Sequence, residues 1–216
     1  MIRDFLCFLI NPKNIRLDKI SMIEIALCFL FLGFSYFVIS IIFSTLIFYF
    51  DIKISFNSVV NKLFNENRAL LIIFIAPVSE ELLFRSILRP SKASFSLFSF
   101  AILVYLLQFL GVTIYLNIIL SFFSSVAIYK IGVNVNFIIR EYFVVILYSS
   151  CLLFALIHFF NYELNNFLII ALPFLLIPKI YLALSLCFLR IRYGFISCIV
   201  FHSLINALLV SVNILK

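Results

Sequence analysis

Long apolar runs separated by short polar segments make up most of the 216-residue chain. A helix crosses a bilayer with about 20 predominantly apolar residues, and most of these runs have about that length. The pattern therefore predicts an all-α fold, a polytopic transmembrane helical bundle of about seven spans, with six to eight as the range. The predicted spans are residues 22–50, 69–88, two within 97–130, 142–160, 166–189 and 194–215.

Local signals predict breaks and surface segments along these runs. Residues 97–130 are too long for one ordinary crossing, and a break at 111–117 would give two short spans. Pro173 and Pro178 are expected to interrupt the span 166–189, because proline removes a helical hydrogen bond. Residues 1–21 are expected to form an interfacial amphipathic start, and residues 57–64 a short surface helix.

Composition agrees with a membrane protein and narrows its partners. Hydrophobic residues make up 66% of the chain and charged residues 12%, and the mean hydropathy is +1.27. A soluble domain is nearer half apolar and a quarter charged. The net charge of +7 is spread over short loops without a basic cluster, so no nucleic-acid partner is predicted. The five cysteines are scattered without a CxxC motif, which favours small apolar packing residues over a disulfide or zinc cluster.

The positive-inside rule predicts the orientation of the bundle. In a seven-span arrangement most lysines and arginines lie on the side of the N-terminus, which places the N-terminus in the cytoplasm. The connection 51–68 is the exception, since it carries Lys53, Lys62 and Arg68 on the opposite side. We therefore expect an integral protein of the cytoplasmic membrane of a prokaryote, with the lipid bilayer as its surroundings and an oligomeric state that the sequence leaves unknown.

Three charged residues stand inside the predicted span 69–88. Each charge at that depth costs about 2.5–3.5 kcal/mol on insertion scales, so a function for them is expected. Glu81 and Arg85 are four residues apart and can pair on one helical face. Glu80 is rotated by about 100° from Glu81 and has no local partner, which suits a general base. Pro77 cannot donate to the carbonyl of Ile73 and is expected to kink the helix beside Glu80. A purely structural charge network is the alternative.

The two histidines of the chain lie on two further spans. His158 follows Phe154 by one helical turn, and His202 precedes Asn206 by one turn. As an alternative to a site, each histidine could have a packing role alone. His202 and Asn206 could also join helices by hydrogen bonds. If the three spans meet, however, Glu80, His158, His202 and Asn206 could surround one water molecule, a set able to hydrolyse an amide.

Two chemistries fit this set. In the first, which we favour, Glu80 and His158 activate the water while His202 and Asn206 bind the oxyanion. In the second, Glu80, His158 and His202 hold a divalent metal such as zinc, which lowers the pKa of its bound water. The cofactor therefore stays unknown, with none preferred.

The motifs EExxxR (Glu80, Glu81, Arg85), FxxxH (Phe154, His158) and HxxxN (His202, Asn206) occur in this order on separate spans. This arrangement resembles the CPBP family of intramembrane proteases, also called the Abi or CAAX protease and bacteriocin-processing family, which includes the type II CAAX prenyl endopeptidases. The resemblance implies that Glu80 activates water with His158, that His202 and Asn206 stabilise the oxyanion, and that Glu81 and Arg85 support the site.

The resemblance also implies a division of the chain and a function. Residues 69–216 would form the protease core, and residues 1–68 an N-terminal interfacial segment, first span and polar connection. The expected activity is that of a peptidase, an intramembrane endopeptidase cutting a peptide precursor or a membrane or prenylated protein. The alternatives are a non-catalytic bacteriocin self-immunity or regulatory protein on the same scaffold, and a small transporter with a proton relay.

One expectation conflicts with the shared site. Glu80 and His202 lie about eight or nine residues from the cytoplasmic ends of their spans, whereas His158 lies near the opposite end of its own. At 1.5 Å per residue the mismatch in depth is on the order of 10 Å.

Overall fold

The structure is a computed structural model of the chain, and it describes residues 2–12, 21–52, 69–89, 91–131, 136–162 and 166–214. Every regular element within these residues is a helix. The π-helical turn Leu71–Ile75 and the 3-10 turn Ser86–Leu88 flank the short helix Ala76–Phe84. The helices are α1 (Ile2–Ile10), α2 (Met22–Tyr49), α3 (Ala76–Phe84), α4 (Lys92–Phe109), α5 (Ile114–Ile131), α6 (Asn136–Glu141), α7 (Phe143–Phe159), α8 (Asn166–Arg192) and α9 (Phe195–Ile214).

The helices form the predicted all-α membrane bundle. Four of the described helices are long and apolar enough to cross a bilayer, namely α2, α4, α5 and residues Ile170–Arg192 of α8. Helix α7 and residues Phe195–Ser211 of α9 are apolar but shorter. Large hydrophobic side chains are exposed along the outer faces of these helices, as expected for a surface in lipid. The chain is an integral membrane protein, and the number of seven crossings stays a prediction.

The structure confirms one of the breaks that the sequence predicts and contradicts another. A turn separates α4 from α5, and Gly111 takes a left-handed conformation there with φ of 77°, which glycine adopts without steric cost. By contrast, the expected interruption at Pro173 and Pro178 is wrong, because α8 runs through both. Packed neighbours in a membrane bundle can compensate a helix for the lost hydrogen bonds. The surface helix expected at 57–64 lies outside the described residues.

Helix α8 is the centre of the bundle. Its four consecutive residues Leu186, Cys187, Phe188 and Leu189 have no exposed surface, so every face of the helix is covered at this level. Cys187 lies beside Cys151 of α7, with their sulfur atoms 3.5 Å apart as free thiols. Four of the five cysteines are buried, in agreement with a packing role.

The N-terminal helix closes one end of this core. Phe5 and Phe8 of α1 pack on Phe188, with ring centroids 5.3 and 5.5 Å apart, and Asp4 lies 3.4 Å from Arg192. The opposite face of α1 exposes further apolar side chains, which suits a helix lying at the membrane interface.

The C-terminal end of α3 is tied to the C-terminal end of α8. The Nε atom of Arg190 donates to the carbonyl of Arg85 at 3.0 Å, and Arg89 donates to the carbonyl of Ile191. The last carbonyls of a helix have no partner within it, so the first bond satisfies the end of α3 and the second satisfies the end of α8. They also fix the height of α3 in the bundle, and with it the height of Glu80.

Candidate active site

A cavity of about 470 Å³ lies where α2, α3, α7, α8 and α9 meet. Glu80, His158 and Asn206 line its wall, so three of the predicted site residues share one space. His202, Glu81 and Arg85 are buried, with side chains no more than 1% exposed. The predicted residues thus form two layers, one on the cavity wall and one in the core.

Glu80 lies between the two histidines. Its Oε2 atom is 3.9 Å from Nε2 of His158 and 3.7 Å from Nε2 of His202. Both separations exceed a direct hydrogen bond, and a bridging water is the usual way to connect polar atoms at such distances. The same Oε2 atom is buried and has no hydrogen-bond partner in the described part of the chain. Glu80 is therefore available to bind and polarise a water molecule.

The backbone of α7 selects the tautomer of His158. Its Nδ1 atom lies 2.8 Å from the carbonyl oxygen of Phe154. A carbonyl can only accept, so Nδ1 carries the proton and donates, and Nε2 of the neutral ring is left as an acceptor facing Glu80. Glu80 Oε2 and Nε2 of His158 are thus two acceptors beside the same space. One water molecule could donate a hydrogen bond to each of them, and its lone pairs would then point away from both.

A buried ion pair holds His202 in the opposite layer. Nδ1 of His202 lies 2.9 Å from Oε1 of Glu81, and the same oxygen lies 3.4 Å from Nη1 of Arg85, as the spacing of Glu81 and Arg85 predicts. Glu81, which Arg85 pairs with, accepts a hydrogen bond from Nδ1–H of His202. Nε2 of His202 faces Glu80.

Phe154 connects the two histidines. The Arg85 guanidinium carbon lies 4.2 Å from the centroid of the Phe154 ring, within the range of a cation–π interaction. The centroids of His158 and His202 lie 4.5 and 5.8 Å from that of the same ring. One fully buried aromatic side chain therefore packs against both imidazoles and against the charge that supports Glu81.

Asn206 bonds to the helix that carries Glu80. Its Nδ2 atom donates to the carbonyl of Ile72 at 2.9 Å, and it does not bond His202. The turn before α3 has π-helical register, with the Ala76 amide donating to Leu71 five residues back. In that register the N–H missing from Pro77 would have bonded to the carbonyl of Ile72, which is left without a donor. An α-helical register predicts instead that the carbonyl of Ile73 lacks its donor. Asn206 supplies the donor that the carbonyl of Ile72 lacks.

The expected mismatch in depth does not separate the histidine from Glu80. Ser150, at the middle of α7, donates to the carbonyl of Phe84 at 2.8 Å, and His158 meets Glu80, so α3 and α7 are antiparallel. Side chains of a helix lean toward its N-terminus. In antiparallel helices the side chains of Glu80 and His158 therefore lean toward each other, which reduces the mismatch.

Lys179 is a cavity residue that the sequence reasoning missed. It lies in α8 after Pro178, and both residues line the cavity with Glu80. The sequence contains a signal for it, because placing a lysine inside an apolar span costs about as much free energy as placing a glutamate there.

A divalent metal is the alternative for which the sequence predicts the same three side chains, Glu80, His158 and His202. Glu80 Oε2 and the two Nε2 atoms are suitable ligand types, and each histidine donates its other N–H as metal-bound histidines do. However, tetrahedral zinc ligands lie about 3.4 Å apart, closer than the 3.7 and 3.9 Å seen here. No set of three His, Cys, Asp or Glu side chains in the described ranges could hold a metal ion. The arrangement does not fit the metal, and we derive no step through one.

The fold and the cavity define a helical membrane protein with glutamate and histidine side chains at one internal cavity. Comparison with known families agrees, since the family described as type II CAAX prenyl endopeptidase Rce1-like matches residues 67–208, about two thirds of the chain. The chain belongs to this family of membrane proteases. Comparisons with curated proteins and with solved structures found no match.

Proposed function

We propose that this protein is an intramembrane endopeptidase that hydrolyses a peptide bond with water activated by Glu80. The substrate is a peptide precursor or a membrane or prenylated protein. The observation that carries the proposal is the convergence of Glu80 Oε2 with the Nε2 atoms of His158 and His202 at one cavity. Membership in a family of CAAX prenyl endopeptidases supports the reaction class.

The first step is attack by water on the scissile carbonyl. The water donates to Glu80 Oε2 and to Nε2 of His158, and its oxygen faces the substrate. Glu80 removes one proton while the oxygen bonds to the carbonyl carbon, giving a tetrahedral oxyanion. The cavity holds the water and the peptide together, which supplies the orientation that the reaction needs.

Two groups are proposed to stabilise the oxyanion. Asn206 uses one N–H on Ile72 and has a second N–H for the substrate. His202 is the second group: its Nε2 atom faces Glu80 and donates to the oxyanion as Nε2–H. Glu81, paired with Arg85, accepts from Nδ1 of His202 and holds the ring in place.

The second step is breakdown of the tetrahedral intermediate. Glu80 transfers its proton to the leaving nitrogen as the carbon–nitrogen bond breaks, so an amine and a carboxylic acid are released and Glu80 returns to its charged form. No covalent bond to the protein forms.

The test compares membranes that contain the wild type, Glu80→Gln, His158→Ala or the exposed control Glu141→Gln, with proteomics of small peptides and membrane proteins. We expect one uncut precursor to accumulate in the first two variants and not in the control. Cleavage by Glu80→Gln at the wild-type rate would refute the mechanism. Unchanged precursors, with protection against a bacteriocin retained by Glu80→Gln, would instead indicate the non-catalytic immunity protein.

Location and orientation complete the proposal. The enzyme would reside in the cytoplasmic membrane of a prokaryote with its N-terminus in the cytoplasm, as the distribution of lysines and arginines favours. Single cysteines introduced in the polar segments and labelled from outside intact cells test this orientation.

A further inference from the structure

Two cysteines of the core contact each other where α7 packs on α8. The sulfur atoms of Cys151 and Cys187 are 3.5 Å apart, and both thiols are free. The proposed hydrolysis uses neither of them. Cys198, another buried cysteine, instead donates to the backbone carbonyl of Phe195 at 2.9 Å. Two thiols in contact are the arrangement from which a disulfide can form with little movement of the chain.

A cation lies beside this pair of thiols. The guanidinium of Arg85 interacts electrostatically with both Cys151 and Cys187. A neighbouring cation stabilises a thiolate, and the thiolate is the form of cysteine that attacks an oxidant. Burial opposes the reaction, because the two residues are only 2% and 0% exposed. The oxidant must therefore be small and uncharged, as hydrogen peroxide is, and it reaches the pair when the bundle opens locally.

The pair is close to the candidate active site. Phe154 follows Cys151 by three residues, which is about one turn of α7, and its ring packs on both imidazoles and on Arg85. An S–S bond is about 2.05 Å long, so a disulfide would bring the two sulfur atoms about 1.5 Å closer. Any part of this movement that side-chain rotation does not supply shifts α7 relative to α8. A misplacement of about 1 Å at reacting groups lowers a rate about 10²-fold.

We propose that Cys151 and Cys187 form a modification site, at which hydrogen peroxide converts the two thiols into a disulfide and thereby lowers the activity of the peptidase. The modification is independent of the proposed function, whereas its effect on hydrolysis rests on that function.

The reaction has two steps, and its atoms and electrons balance. One sulfur attacks the peroxide, so that an S–O bond forms, the O–O bond breaks and one water leaves, which gives a sulfenic acid. The other sulfur attacks the sulfenic sulfur, so that the S–S bond forms, the S–O bond breaks and a second water leaves. The two thiols lose two electrons and two protons, and one peroxide molecule becomes two water molecules.

Mass analysis of the full chain in detergent tests the modification without any substrate. The protein is treated with hydrogen peroxide or with dithiothreitol, unfolded in an alkylating agent and digested. Trypsin cuts after Lys179 of the unfolded chain, which puts the two cysteines on separate fragments. We expect a cross-link between Cys151 and Cys187 after peroxide and alkylated thiols after dithiothreitol, with Cys28 and Cys198 alkylated in both samples. No cross-link, or an equal yield of cross-links at Cys28 or Cys198, would overturn the inference.

The effect on activity is measured in membranes, with the precursor that accumulates in Glu80→Gln as the substrate. Each protein is compared with its own untreated sample. After peroxide, the wild type and the control Cys28→Ser should cleave about 10²-fold more slowly and recover in dithiothreitol, whereas Cys151→Ser and Cys187→Ser should keep their rates. Full activity of the cross-linked wild type, or an equal loss in the variants that lack one thiol of the pair, would refute control through this disulfide.

The modification and the proposed function fail in different ways. If Glu80→Gln cleaves as fast as the wild type, the endopeptidase mechanism fails, while mass analysis still reports on the two thiols. If Glu80→Gln blocks cleavage and peroxide produces no cross-link, the endopeptidase stands and the modification site fails.

Discussion

Removing one partner of the Glu81–Arg85 pair should be far more harmful than removing both. Both side chains are fully buried, and their atoms approach to 3.4 Å. Arg85→Met leaves the Glu81 carboxylate uncompensated, and Glu81→Gln does the same to the guanidinium. Breaking a buried pair in this way costs about 3–5 kcal/mol. Two independent losses would add to about 6–10 kcal/mol, most of the stability of an ordinary domain.

The double variant should recover most of that loss. The double variant removes both charges of the pair, and replacing a buried pair by neutral groups often changes the stability little. The methionine introduced by Arg85→Met can pack on the Phe154 ring, and the amide introduced by Glu81→Gln still accepts from His202. We expect the double variant within about 2 kcal/mol of the wild type.

Unfolding is measured by adding SDS to mixed micelles and following circular dichroism, since the chain has no tryptophan for fluorescence. The partly exposed pair of Asp4 and Arg192 is the control, and Asp4→Asn should cost no more than about 1 kcal/mol. A double variant as unstable as the sum of the two single variants would refute the reasoning, as would single variants as stable as the control.

Activity should not recover with stability. Without the Glu81 charge His202 loses the charged partner of its Nδ1 atom, and the loss of one oxyanion donor costs about 10²–10³ in kcat. The double variant should therefore be folded and slow. Full activity in a folded double variant would show that His202 needs no charged partner.

Three further outcomes follow from the site. Asn206→Leu should lower kcat about 10²-fold or more through loss of an oxyanion donor, and a change confined to KM would contradict that role. Ser150→Ala should lower the free energy of unfolding by about 1 kcal/mol because the Phe84 carbonyl loses its partner, and an unchanged unfolding curve would contradict this. Dialysis against a metal chelator should leave hydrolysis unchanged, whereas a loss restored by added zinc would favour the metal mechanism.

The bundle and most of the polar residues at the cavity could be predicted from sequence, because charged and polar residues are rare in apolar membrane spans. Apolar run lengths located the helices, and the cost of a buried charge drew attention to Glu80, Glu81 and Arg85. The four-residue spacing of Glu81 and Arg85 was enough to predict their pair, since it depends only on helix geometry. That Glu80 acts as the base stays a prediction.

The features that could not be predicted from the sequence depend on contacts between helices. The partner of His202 is a carboxylate on another helix, and the partner of Asn206 is a backbone carbonyl, neither of which has a sequence signature. The depth of His158 was misjudged because counting residues ignores the direction in which side chains lean. Pro173 and Pro178 were read by rules suited to helices in water, although a membrane bundle tolerates such prolines.

The π-helical turn before Glu80 has an evolutionary consequence. Pro77 removes an amide hydrogen on one helix, and Asn206 provides a hydrogen to the same carbonyl from another. A relative that has lost the proline would regain its own donor, which would compete for the Ile72 carbonyl and release the amide of the asparagine. Across the family, replacement of the proline should therefore coincide with changes in the asparagine or its surroundings, so that two positions 129 residues apart in this chain vary as one.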